Sequence, residues 1–162
     1  KFQAEKILTG VEQPFVMRGH LIRHSQRGLL WIVEYPFYSL HLIREDGVWE
    51  ADIPQGPKRP LHQPYAIRLK QLLMQLFRAD IESLKEGFTI SVTREKNNWL
   101  LELKPELFWL SKAIERIEIR LDRTVESIFI YEVQGAQLRL SFSEHQNDNP
   151  ELQPDEAADF SP

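Results

Sequence analysis

The chain has 162 residues, 42% hydrophobic and 27% charged, the size and balance of one globular domain that buries a core without disulfides. It holds no cysteine, which excludes thiolate metal sites, cysteine nucleophiles and redox pairs. The net charge of −4 gathers at the C-terminus: six of the 24 acids and none of the 20 bases lie in residues 144–162, so the remaining body is nearly neutral and has no field to hold nucleic acid.

In chain order, period-two alternation begins at 15–23, where Phe15, Met17 and Leu21 recur, and resumes at 38–44 with Tyr38, Leu40 and Leu42. Asp46-Gly47 predicts a two-residue hairpin turn. Pairing outward from it sets Arg44 opposite Trp49, Leu42 opposite Ala51 and Leu40 opposite Ile53, so one face reads Leu40, Leu42, Trp49, Ala51 and Ile53. Residues 54–64, with four prolines and one glycine, form an irregular loop. The period then changes. Over 65–78, Leu69, Leu72, Leu73, Leu76 and Phe77 make one stripe of an amphipathic helix. Ile67 and Met74 leave that stripe, either to face something apolar other than the sheet or to be partly exposed. Asp80 reads as the N-cap of a short second helix through Glu86, stopped by Gly87.

Alternation returns in Phe88, Ile90 and Val92, then across an Asn97-Asn98 turn in Trp99, Leu101 and Leu103. It continues in Ile117, Ile119 and Leu121; in Val125, Phe129, Tyr131 and Val133; and, after Gly135, in Leu138, Leu140 and Phe142. The expectation is about eight strands in antiparallel meander order. The tail from 144 has three prolines, six acids and only Leu152 and Phe160 as large apolar anchors, the composition of a poorly ordered or loosely docked extension.

Motifs of catalysis are missing: there is no phosphate-cradling glycine loop, no G-x-S-x-G and no H-E-x-x-H. His20 and His24 on one strand lie about 13 Å apart, too far to share an ion. His41, His62 and His145 read as surface or loop histidines. The carboxylate pairs Asp80 with Glu82 and Glu115 with Glu118 read as capping and solvated strand faces. No catalytic residue, metal site or cofactor is expected, and the chain does not read as an enzyme. Trp31, Trp49, Trp99 and Trp109 either fill a core or line a cavity in a curved antiparallel sheet with helices across its mouth, and periodicity leaves both open.

The order of short motifs carries a family likeness. F-Q-A-E-K-I-L at 2–8, Pro14-Phe15, Arg18-Gly19, Arg27-Gly28-Leu29-Leu30-Trp31, Pro36-Phe37 and Gly47-Val48-Trp49 resemble the outer-membrane lipoprotein carrier (LolA) superfamily. The amphipathic helix, Trp99-x-Leu101-x-Leu103-x-Pro105 and Leu138-Arg139-Leu140-Ser141-Phe142 follow in that family's order, and the likeness covers residues 2–143. The resemblance implies a mainly β fold with some α, an unclosed antiparallel β-barrel or half-barrel with a helical lid. Its apolar inside would hold the acyl chains of a lipid-modified cargo. Where the better-known carriers place an Arg-Pro pair, this chain has Ser25-Gln26, which leaves Arg23 or Arg27 to control the lid from a shifted position.

These readings give a carrier domain over 1–143 and an acidic, proline-containing tail over 144–162. The expected lipid-binding lining is Leu29, Trp31, Leu40, Leu42, Trp49, Leu101 and Ile119, which share apolar strand faces, with Ile67 and Met74 from the helix. The implied setting is the periplasm, reached with a secretory signal removed ahead of Lys1. The implied partners are lipoprotein or lipid acyl chains, an inner-membrane exporter and an outer-membrane acceptor, with the carrier itself a monomer that binds no nucleic acid. Without an N-terminal cysteine the chain does not read as the lipid-anchored acceptor. The alternative is an accessory module of a lipid or polyene exporter that carries no cargo.

Overall fold

The computed structural model describes residues 1–62, 64–78, 81–96, 98–144 and 154–161. Six strands come first: β1 (Phe2–Ile7), β2 (Phe15–His24), β3 (Gly28–Tyr35), β4 (Ser39–Arg44), β5 (Gly47–Ala51) and β6 (Arg59–Pro60). Helices α1 (Pro64–Arg78) and α2 (Ile81–Lys85) follow, then β7 (Phe88–Glu95), β8 (Asn98–Pro105), helix α3 (Phe108–Ser111), β9 (Ile114–Leu121), β10 (Val125–Glu132), β11 (Gln137–Phe142) and helix α4 (Pro154–Asp159). The strands form one antiparallel sheet not closed into a barrel, in the order β6-β5-β4-β3-β2-β1-β11-β10-β9-β8-β7.

The described strands number eleven rather than about eight. The largest omission is β3, and its reason is physical. A strand covered on both faces shows a continuous apolar run instead of alternation, and Leu29, Leu30, Ile32 and Val33 are all buried. The two-residue β6 and the short β1, with only Phe2 and Ala4 buried, carry too few apolar positions to reveal a period.

The chain divides into two compact units, the first made of Lys1, Arg18–Ala79 and Gln146–Pro162, the second of Phe2–Met17 and Asp80–His145. In the first unit, β3, β4 and β5 run as a meander in which Arg44 pairs with Gly47, Leu42 with Trp49 and Leu40 with Ala51. The connecting residues are therefore Glu45 and Asp46, not Asp46 and Gly47. A slip of two residues keeps every side chain on its predicted face, but it leaves Ile53 beyond the strand and exposed. Close approach fixes one glycine: a Cβ on Gly19 would collide with the Ile32 carbonyl oxygen, beside the irregularity between Arg18 and Gly19.

In the second unit, β7 through β11 form a meander whose last strand pairs with β1, Ala4 opposite Leu140 and Phe2 opposite Phe142. The β7–β8 hairpin pairs Glu95 with Asn98, so Asn98 belongs to the strand rather than to the expected Asn97-Asn98 turn; Asn97, like Asp80, lies outside the described residues. The second helix ends at Lys85, and the Gly87 N–H closes it on the Leu84 carbonyl at 3.1 Å.

One strand is inverted relative to expectation. In β10 the buried residues are Ile128 and Ile130, not the set Val125, Phe129, Tyr131 and Val133. Both parities of Val125–Tyr131 are apolar, so neighbours decide: Ile128 meets Ile119 and Leu140, and Ile130 meets Ile117 and Leu138. On the opposite face, Arg116 lies 3.6 Å over the Tyr131 ring, and Arg120 and Arg139 lie 5.7 and 4.8 Å from the Phe129 ring. Ile128→Ala is expected to cost about 2–5 kcal/mol of folding stability, and Phe129→Ala distinctly less. Urea denaturation of the two variants checks it, and equal losses would mean that the two faces bury alike.

Candidate functional site

The first unit carries apolar clusters on both faces of its strands. Strand alternation puts Leu30 and Ile32 on one face and Leu29 and Trp31 on the other. On the first face Ile22, Leu30, Ile32, Leu40, Leu42 and Ala51 are buried together with Phe160, and half-buried Tyr38 and Trp49 pack against them. On the second face Leu29, Ile43, Val48 and Met74 are buried together, with Leu21, Leu61 and Ile67 packed alongside.

The expected lining residues therefore fall into three sets. Leu40, Leu42 and Trp49 share the first face. Leu29, Ile67 and Met74 share the second, and Trp31 stands there by its register with His41. Leu101 and Ile119 are cross-strand partners in the second unit. No single face of the first unit joins the first two sets. The helix residues are also corrected: Ile67 and Met74 leave the leucine stripe in order to pack on the sheet. The side chains of Leu69, Leu73 and Phe77 lie outside the described set, whereas Leu72 and Leu76 are buried.

Among the described residues, a polar contact ties α1 to the second face. Lys70 Nζ lies 2.7 Å from His41 Nδ1, both side chains part-buried. Burial first, then the adjacent Lys70 charge, pushes His41 down to about 4. Burial also lowers Lys70 to about 8, against a smaller opposing pull from Glu50. At neutral pH the contact is thus a Lys70 ammonium donating to a neutral imidazole. Its signal was present in the chain, since 67, 70 and 74 lie on one helical face.

The candidate lid arginines separate. Arg23 pairs with Leu29 in the β2–β3 ladder and so belongs to the α1 face. Arg27 instead reaches the tail, its Nη1 donating to the Ala157 carbonyl at 3.5 Å. Close by, Lys58 Nζ lies 3.6 Å from Asp159, both side chains largely buried, and the His24 ring sits edge-on to Phe160 at 6.0 Å. Phe160 is only 4% exposed. The end of the tail is thus part of the first unit's core rather than a loose extension, because composition averages away a single well-placed aromatic. Leu152 and His145 lie outside the described residues.

Other titratable groups singled out in the sequence are paired. His20 pairs with Glu34 at 3.3 Å, Glu82 with Lys85 at 2.6 Å, and Glu115 and Glu118 both bind Arg116. Among the described residues no group of three metal-ligating side chains converges. No protein-family model matches the chain, and a search of curated proteins finds no match.

The His41–Lys70 pair predicts a pH dependence. Both pKa values are depressed by folding, so the folded protein holds fewer protons than the unfolded chain and stability rises with pH in each window. The His41 contribution is complete above 6.5 and is lost as pH falls toward 4; the Lys70 deficit is relieved between about 8 and 10.5. Thermal denaturation should show Tm falling from pH 6.5 to 4, with a flatter profile in His41→Gln. An unchanged slope in that variant would assign the acid loss to other groups.

Proposed function

We propose that the protein is a periplasmic carrier that shields the acyl chains of a lipoprotein or other lipid, taking them from an inner-membrane exporter and passing them to an outer-membrane acceptor. On this reading the sheet is a half-barrel and α1 its helical lid. The observation that carries it is the two-faced apolar surface of β2–β5, each face covered by one short segment: Ile67 and Met74 on one side, Phe160 on the other. An acyl chain gains about 0.8 kcal/mol per buried CH₂. A long chain therefore cannot cross water alone, and a carrier must also release it. Apolar surface beneath a cover that gives way to the chain serves both needs. No chemical step is required, and no nucleophile or acid–base pair is invoked.

The second reading, an accessory module of a lipid or polyene exporter with no cargo, is favoured by one observation: Met74 and Phe160 fill their faces in this structure. Lipid analysis of protein purified from its native compartment separates the two, since a cargo-free module brings no lipid with it.

Delipidated protein is expected to bind a fluorescent fatty-acyl probe saturably. Trp49 is half-buried and packs against the first cluster. Trp49→Ala should weaken binding about tenfold, given that a buried aromatic contributes about 1.5–3 kcal/mol and tenfold in Kd is about 1.4 kcal/mol. Absence of saturable binding up to the solubility limit of the probe ends the carrier reading.

A further inference from the structure

The residues beneath Phe160 include Leu40 and Leu42, two of those expected to meet an acyl chain. Beside this apolar contact stands an ion pair. Asp159 lies 3.6 Å from Lys58 Nζ, with the two side chains only 18% and 10% exposed. Tyr38, packed at the same cluster, is raised above its usual value by burial and by the Asp159 charge. Neighbouring residues of the tail thus present an apolar body and one negative charge to a matched receptor of an apolar sheet face and a largely buried ammonium. An anionic single-chain amphiphile has the same chemical profile.

The ion pair narrows the ligand class. Removing one partner of a buried pair leaves an uncompensated charge and is strongly unfavourable. A neutral chain that displaced the tail would strand Lys58, whereas a ligand that brings its own anion would not. Among the described residues, the tail is held by buried Phe160, the Lys58 pair, the 3.5 Å Arg27 contact to Ala157 and the edge of the His24 ring.

We propose that the Leu40–Leu42 face with Lys58 is a binding site for an anionic amphiphile, its carboxylate or phosphate on Lys58 and its chain across the sheet, and that Asp159-Phe160 occupies this site in cis when no ligand is bound. The inference rests on the carrier reading and adds to it the charge of the ligand and an internal competitor.

Isothermal titration of the full chain with laurate, dodecyl phosphate and uncharged dodecyl maltoside tests it. Laurate or dodecyl phosphate should bind more tightly than the maltoside; whichever binds better identifies a fatty-acid or a phosphate head group as the source. Phe160→Ala should tighten both anionic ligands about tenfold, and Lys58→Gln should abolish the preference over the maltoside. In the unaltered protein, hydrogen exchange at the amides of 157–161 should accelerate on saturation with laurate, a readout that needs no variant to fold. If laurate binds but neither Phe160→Ala nor exchange responds, the competitor is overturned while the carrier reading stands. A preference unchanged in Lys58→Gln overturns the head-group site. If no amphiphile binds either form, the carrier reading fails and this inference with it.

Discussion

A sheet that is apolar on both faces cannot leave either one to water, and the first unit is organised around that constraint. Leu29, Leu30, Ile32 and Val33 in β3, with Leu40, Leu42 and Ile43 in β4, put large side chains on both sides of adjacent strands. Each such side chain contributes about 1.5–3 kcal/mol when buried, so two covers are needed where an ordinary antiparallel sheet needs one. The chain supplies them from opposite sides of the second unit in sequence: α1 directly after β6, and the segment ending in Phe160 after β11. Each cover also makes polar contacts to the unit. Among the described residues, α1 has a lysine on a neutral histidine, and the tail a carboxylate on a lysine and a carbonyl on an arginine.

The second unit solves a different problem. One face of its meander is apolar, from Leu101, Leu103, Ile117 and Ile119 across to Ile128, Ile130 and Leu140. The other still carries aromatic rings, Phe129 and Tyr131, and these are covered by arginines instead of a helix. Guanidinium groups satisfy the ring face and remain hydrated themselves. Arg116 also joins Glu115 and Glu118, while the Tyr131 hydroxyl donates to Glu118 at 3.2 Å.

Legibility in the chain followed the number of covered faces. Strands with one buried side, such as β8, β9 and β11, announce themselves by alternation, and Leu101, Leu103, Ile117, Ile119 and Leu140 are buried as their period implies. Where both parities are apolar, as in β3 and β10, the period says nothing and cross-strand partners choose the face. Hairpin residues locate turns but not their register, hence the two-residue slip at Arg44 and Gly47 that left every face intact. The candidate site was half legible. Leu40, Leu42 and Trp49 do share a face, but which helix covers it is a tertiary fact. The off-stripe Ile67 and Met74 went to the other side, and Phe160 came from a tail whose composition hid it.

Strand β1 bears on the order in which the chain assembles. Phe2–Ile7 lies against Gln137–Phe142, so its ladder closes a loop of nearly the whole sequence. The entropy of closing so long a loop grows slowly with length but must be met before any of the contacts form, and pairings this distant slow folding. The hairpins of β3 to β5 involve neighbours a few residues apart and carry no such delay. The other neighbour of β1 in the sheet, β2, lies close in sequence, so only the β11 side of β1 is delayed. Until β11 arrives, β1 has one edge without its ladder partner, and completion of the sheet waits on the far end of the chain.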